Sequence, residues 1–369
     1  MRLIYFSRDY SVHDHRFLAR LAQTGHSIGF LTLEQRTAVQ CTQPLPPGIE
    51  WLSWAGGRGP VHWQDGWRLL RSLRQVIQSF QPDLIQAGPI QTAAFLTALS
   101  GFRPLVSTSW GYDLLIDAQR GPAWRTATRF TLRRSAAMVG DCATIRQLAV
   151  SYGMDPDKIV TFPWGVDLQH FTPGAAADLR AQLGWESEEF VVISTRGWSP
   201  IYGIEELARG FAAAARELPQ LRLLMLGSGP QAALVHEIFQ QAGVRDRVHF
   251  PGQVSQEDLP RYYRAADLYL SASHSDGSSI SLLEAFACGR PALVSDIPGN
   301  REWVTPGKQG WWFQTGRAAK LTQGLLEAAA QRNQLAEMGR NARQTAEARA
   351  DWDTNFPHLL DAYQLALQS

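Results

Sequence analysis

A chain of 369 residues with 35 Lys and Arg against 34 Asp and Glu has no basic surplus to drive nucleic-acid binding, and its length suggests two domains. Three widely spaced cysteines, Cys41, Cys142 and Cys288, form neither a disulfide framework nor a zinc-binding spacing, which points to a reducing cytoplasm. The first apolar run turns polar at Ser7-Arg8-Asp9, too early for a signal peptide. No stretch approaches the roughly 20 apolar residues of a membrane helix, so any membrane contact is expected to be peripheral, on the inner face.

Short apolar runs alternate with segments of helical period. Strands are predicted at Leu3–Phe6, Ile28–Leu33, Leu84–Ala87, Leu105–Thr108, Ala137–Val139 and Ile159–Phe162. A helix is predicted over Trp67–Phe80, where Leu70, Leu73, Ile77 and Phe80 recur. A connector is predicted around Gly165–Ala177, punctuated by Pro173-Gly174. A second series follows, with strands at Phe190–Thr195, Leu221–Leu226, Val248–Phe250, Leu268–Ser271, Ala292–Ser295 and Trp311–Phe313. Helices fit between them at Ile204–Glu217, Pro230–Ala242, Gln256–Ala265 and Ser279–Ala287, with another at Lys320–Gln331 and a closing helix over Trp352–Leu367. Strands separated by helices imply an α/β fold of two doubly wound halves, each with a parallel sheet. The predicted division is residues 1–167, 168–350 and a closing segment 351–369, with a ligand cleft faced by the carboxyl ends of both sets of strands.

Thirteen tryptophans is a high count, and Trp51, Trp54, Trp63 and Trp67 crowd one stretch. They suit either packing or an aromatic platform for a sugar or a lipid-linked acceptor. The adjacent Arg133-Arg134 pair reads as a solvated helix face, or as a contact with an anionic membrane. Asp155-Pro156-Asp157 and Asp351-Trp352-Asp353 have metal-motif spacing but lie at a turn and a helix start, where aspartates cap.

The most informative run is Ser271-Ala-Ser-His-Ser-Asp276-Gly277-Ser278-Ser279-Ile280-Ser-Leu-Leu-Glu284, followed by Ala-Phe-Ala-Cys-Gly289-Arg-Pro291. It reads as strand, small-residue loop and helix. A helix N-terminus reached through small residues offers oriented N–H groups to a phosphate. Asp276 and Glu284 could take sugar and ribose hydroxyls at the two ends of one ligand. The competing interpretation is a capped surface helix with Asp or Ser as N-cap.

This run resembles the carboxylate-spaced signature of glycosyltransferase family 4, usually two Glu with seven residues between. The likeness continues through Ser295-Asp296-Ile297-Pro298-Gly299-Asn300-Arg301-Glu302 and Gly307 to Gly310. The resemblance implies a GT-B fold: two Rossmann-like halves facing a central cleft, with a C-terminal helix crossing back to the first. It implies a retaining hexosyltransferase-like enzyme of polysaccharide assembly that uses a nucleotide-diphosphate sugar and needs no cofactor or metal. Its acceptor would be a glycan, a lipid-linked sugar or a small molecule. By resemblance Glu284 binds the ribose and Asp276 the sugar, while Gly277, Ser278, Ser279, Ile280 and Gly229 border the donor. Arg196 neutralises the leaving diphosphate, helped by the Tyr202 hydroxyl. In the first half His13, His15, Trp110 and Tyr112 are acceptor candidates. Asp113 either serves catalysis beside the reacting carbon or caps the helix before Leu114.

Three positions depart from the family pattern: Asp276 stands for Glu, Tyr202 for Lys and Trp110 for His. These departures keep open a non-catalytic nucleotide-sugar-binding partner on the same fold. Another GT-B reaction, such as epimerisation or phosphorolysis, is a third alternative on fold analogy alone.

Overall fold

The computed structural model describes residues 1–35, 41, 43–175 and 177–369. Residue 176, inside the predicted connector, lies outside the described residues. Strands β1 (Arg2–Ser7), β2 (Ser27–Thr32), β3 (Ile49–Trp51), β4 (Leu84–Ala87), β5 (Leu105–Thr108), β6 (Ala137–Gly140) and β7 (Ile159–Thr161) form a seven-stranded sheet. Its order is β3-β2-β1-β4-β5-β6-β7, with parallel pairing throughout. Strands β8 (Phe190–Ser194), β9 (Leu221–Leu226), β10 (Val248–Gly252), β11 (Leu268–Ser271), β12 (Ala292–Ser295) and β13 (Gly310–Phe313) form a six-stranded parallel sheet. Its order is β10-β9-β8-β11-β12-β13. In each sheet the winding reverses beside the first strand, between β1 and β4 and between β8 and β11. Loops at such a reversal diverge and leave room for a ligand.

Helices cover both faces of each sheet, so both faces of the central strands must be apolar. On β8, Phe190 and Val192 enter one core with Phe211, Leu223 and Phe239. Val191 and Ile193 enter the opposite core with Tyr263, Leu282 and Phe286. The first sheet is likewise packed, with Ile4, Phe6, Leu31 and Leu73 on one side. These near-continuous apolar runs are why the strand boundaries are legible in the sequence.

The helix Leu335–Arg349 is not among those predicted, and two further elements differ for local reasons. The edge strand β3 is three residues long, follows Pro46-Pro47-Gly48 and is partly exposed, so it carries no apolar signature. The closing helix is two pieces, Trp352–Asn355 and Pro357–Leu367, because Pro357 cannot donate into a continuous helix.

The chain divides into one compact unit of Met1–Phe162 with Pro357–Ser369, and a second of Pro163–Phe356. Val166 donates to Ala350 at 2.7 Å and accepts from Trp352 at 3.0 Å, which places residues 163–167 with the second unit. In the first unit the final helix packs on β4 to β7, and the buried Tyr363 hydroxyl donates to Gln86. Among the described residues, no helix is long and apolar enough to cross a membrane.

Candidate functional site

In the second unit the loops after β8 and β11 lie at the reversal of strand order, and each is pinned by backbone. Gly203 has φ +59°, and a Cβ there would stand 2.1 Å from the Ala272 carbonyl oxygen, so only glycine lets the two loops meet. Gly229 presses on Trp198 in the same way, with a Cβ falling 2.5 Å from its carbonyl oxygen. The His274 N–H donates to the Ile201 carbonyl at 2.8 Å, and its ring reaches Glu206 at 3.1 Å.

These loops converge on Arg196. Its guanidinium lies 2.8 Å from the Asp276 carboxylate and donates to Ser279 Oγ at 3.0 Å and Ser281 Oγ at 3.1 Å. It also sits 4.2 Å above the Tyr202 ring, a cation–π contact. The two charged side chains are only 11% and 19% exposed. Burial raises the Asp276 pKa, opposed by Arg196, the Ser279 hydroxyl and the Gly277 N–H. Burial alone would lower the Arg196 pKa, but Asp276 and the surrounding tyrosines hold it above its ordinary value. Arg196 Nε is buried and, among the described residues, has no hydrogen-bond partner. It is a charged donor in want of an acceptor.

The helix Ile280–Ala287 opens at this cluster. Ser279 holds the N-cap position, but no side-chain cap bond forms, and its hydroxyl instead accepts from Arg196. From Ser281 to Ala287 every residue is buried, so this is not the capped surface helix that the sequence alone also allows. One turn in, Glu284 is 5% exposed and accepts from the Tyr263 hydroxyl at 2.8 Å. Asp276, Gly277, Ser278, Ser279, Ile280 and Glu284 thus line one loop-and-helix unit, joined by Arg196 and Tyr202.

Sequence reasoning missed the residues that hold this set. Tyr263 lies on the helix Leu259–Ala265 and pairs with Glu284, with the Ser281 carbonyl at 3.1 Å and with Thr195 at 2.9 Å. Tyr269 shares a 2.7 Å hydrogen bond with Ser281, and the Trp303 indole donates to Ser278 at 3.3 Å. The available signal was a tyrosine at a core position, since a buried hydroxyl requires a partner.

In the first unit His13 and Trp110 stack, with ring centroids 6.1 Å apart and planes 26° from parallel. Trp110 also meets the edge of Phe17 at 5.9 Å. His15 is turned elsewhere: its Nδ1 shares a 2.6 Å hydrogen bond with Tyr10, and burial lowers its pKa. Tyr112 is 36% exposed, and burial raises its pKa, with Asp113 adding to the effect and Arg8 opposing it. Arg8 pairs with the buried Glu34 at 2.5 Å, an ion pair the sequence reading did not single out. Asp9 is pushed up to about 6 by burial and by Asp14.

Asp113 is fully buried, with its oxygens accepting from Ser109 Oγ at 2.6 Å and from the Leu114 and Ile90 N–H groups, both at 3.0 Å. These contacts anchor the start of the short helix Tyr112–Leu115. Elsewhere in this unit, Ser11 is an N-cap, and the buried Asp14 completes its capping box while accepting from Tyr5 at 3.1 Å. Trp54 is buried with its indole donating to the Thr32 carbonyl, whereas Trp51, Trp63 and Trp67 are exposed. Asp155 and Asp351 each accept from the backbone two residues on, as capping aspartates do.

A family model described as glycosyl transferases group 1 matches residues 176–345, and one described as a glycosyl transferase 4-like domain matches residues 11–165. The chain is 32% identical over 234 residues to a D-inositol 3-phosphate glycosyltransferase of Gordonia bronchialis, covering 60% of this chain and 50% of that protein. A protein of the same name from Nocardia farcinica is 34% identical over 230 residues, covering 60% and 51%. The matches thus span about half the length of these relatives. Among solved structures, sucrose-phosphate synthase from Thermosynechococcus elongatus superposes with a TM-score of 0.81 at 21% identity, covering 100% of both chains. HepE from Anabaena in complex with UDP-glucose superposes at 0.80 with 19% identity, covering 99% of each. At these identities the structural likeness concerns the fold.

Proposed function

Because the chain belongs to the group 1 glycosyltransferases and has their GT-B fold, we propose that it moves a sugar from a nucleotide-diphosphate sugar to an acceptor hydroxyl, with retention and without metal. The observation that carries this reading is the Arg196 cluster: one buried cation with an unsatisfied Nε, at the mouth of a helix with no side-chain cap. That arrangement suits a diphosphate leaving group, which needs positive charge and oriented donors as its negative charge grows. Asp276 then takes a hydroxyl of the donor sugar, and Glu284, held by Tyr263, takes the ribose diol. The solved complex of HepE with UDP-glucose supports a nucleotide-sugar donor for the fold.

The proposed chemistry is front-face substitution. The bond from the anomeric carbon to the diphosphate oxygen breaks, and the acceptor oxygen bonds that carbon on the same face. The acceptor proton passes to an oxygen of the departing diphosphate. No side-chain nucleophile is invoked, so rate comes from positioning and from charge stabilisation by Arg196 and backbone N–H groups. The first unit would hold the acceptor, a glycan, lipid-linked sugar or small molecule, against the His13–Trp110 stack and Tyr112. Asp113 contributes by fixing the loop that carries Trp110 and Tyr112.

A second reading, a non-catalytic nucleotide-sugar-binding partner, has one observation in its favour: with Tyr202 in place of a lysine, Arg196 is already committed to Asp276. A panel of nucleotide-diphosphate sugars separates the two. Thermal stabilisation by one donor, with release of nucleoside diphosphate lost in Glu284→Ala, supports transfer. Binding without turnover in the presence of cell-extract glycans supports the partner, and no binding to any donor removes both.

A further inference from the structure

The short turn Trp63–Asp65 and the helix Gly66–Phe80 carry a surface outside the donor and acceptor contacts proposed above. Leu69, Leu70, Leu73 and Phe80 face the core of the first unit, whereas Trp63 is 88% exposed and Trp67 82% exposed. Singly exposed apolar residues are ordinary, but two neighbouring indoles left almost wholly in water call for a partner. Arg71 lies one turn beyond Trp67 and Arg74 nearly one turn beyond that, both exposed, with Arg74 also donating to the Ser100 and Leu99 carbonyls at 3.2 and 3.3 Å, which leaves its charge unpaired. Between residues 58 and 80 the charges are Arg58, Arg68, Arg71 and Arg74 against Asp65, which already pairs with Arg68 at 2.9 Å. Trp67, Arg68, Arg71, Arg74, Gln75 and Gln78 line an open groove of about 900 Å³.

Indole rings beside an unneutralised row of guanidinium groups match one environment closely. At a bilayer surface the ring settles at headgroup depth, its apolar body inward and its N–H toward water. Anionic headgroups supply the phosphates the arginines lack. A second copy of the chain fits poorly, because a two-fold pairing would set one arginine row against another. A neutral glycan would leave the row unmatched. We propose that this stripe docks the protein on the headgroup layer of an anionic bilayer, with Trp63 and Trp67 at the interface and Arg71 and Arg74 on lipid phosphates.

Flotation of the full chain with phosphatidylcholine vesicles, with and without phosphatidylglycerol, tests this. Binding is expected only where the anionic lipid is present, and it should weaken as salt is raised. Each of Arg71→Ala and Arg74→Ala should weaken vesicle binding about fivefold. Trp63→Ala with Trp67→Ala should weaken it by about tenfold or more. Arg71→Ala and the tryptophan pair should keep the wild-type melting temperature and donor binding, since these side chains lie outside the core, and Arg74→Ala, which also loses its bonds to the Leu99 and Ser100 carbonyls, should keep donor binding. Equal binding to neutral and anionic vesicles would overturn the proposal. So would wild-type vesicle binding by the variants, or failure of the wild type to bind either vesicle. A concentration-dependent oligomer dissolved by the tryptophan changes, without vesicle binding, would assign the face to self-association instead.

Discussion

Arg196 and Asp276 form an ion pair of 2.8 Å in which neither side chain is more than one-fifth exposed. Removing one partner leaves the other charge buried, a change that costs about 3 kcal/mol or more. Asp276→Ala should therefore lower stability by that amount in chemical denaturation. The double change Arg196→Met with Asp276→Leu should recover most of the loss while abolishing donor-induced stabilisation. If the single and double changes cost the same, the two charges are not coupled.

Tyr202 lies under the Arg196 guanidinium at 4.2 Å, where the family pattern has a lysine. Tyr202→Lys would exchange a cation–π contact for a second positive charge beside the proposed diphosphate position. Affinity for the free nucleoside diphosphate should rise by about tenfold, in line with one charge-assisted contact, and the gain should shrink with added salt. Titration calorimetry at two salt concentrations reads both effects. An unchanged affinity would place the Tyr202 hydroxyl away from the phosphates.

Tyr263 reaches Glu284 at 2.8 Å from a different helix, which makes it a positioning residue for the proposed ribose contact. Tyr263→Phe should leave kcat within about twofold of wild type and raise the donor KM about tenfold, as loss of one buried hydrogen bond to a charge implies. A donor analogue lacking one ribose hydroxyl provides the control, since its KM should rise much less on the same substitution. Equal sensitivity of both donors would make Tyr263 purely structural.

The parts of this molecule that were legible in the sequence are those written locally. Strands such as Leu84–Ala87 and Leu268–Ser271 are apolar on both faces, so their ends appear as changes of composition. The Asp276–Glu284 run was legible because loop, helix start and carboxylate spacing all lie in nine consecutive residues. Contacts between distant segments were not. Tyr263 to Glu284, Trp303 to Ser278 and Arg8 to Glu34 each join different elements, and nothing local distinguishes these side chains from ordinary core or surface residues. Asp113 shows the opposite limit: its sequence position suits chemistry and capping equally, and neither its burial nor its four donors can be read from the residues around it.

If Arg196 and backbone N–H groups supply the positive charge for the departing diphosphate, no divalent cation is required. Transfer measured with a strong chelator should stay within about twofold of the untreated rate, whereas Arg196→Ala should lower kcat/KM by about a hundredfold or more. Strict loss of activity with chelator, restored by added magnesium, would transfer the charge-stabilising role from Arg196 to a metal.

Asp113 is held in a dry pocket that pushes its carboxyl up to about 6, against donors from Ser109, Ile90, Leu114 and Trp110 that pull it down. Its folded pKa therefore exceeds its unfolded value near 3.8. Between those values the folded state binds more protons than the unfolded state, so stability falls as pH rises through that window and levels off above it. The shift corresponds to about 3 kcal/mol across the window. Asp113→Asn cannot titrate. Its constant offset will reflect an amide facing backbone donors, but the pH slope owed to this residue should vanish. Denaturant midpoints from about pH 4 to 7, compared between wild type and Asp113→Asn, isolate that slope because other titrations largely cancel. A stability difference independent of pH would mean that the four donors hold the carboxylate ionised throughout, which would strengthen its role as the clamp beneath Trp110 and Tyr112.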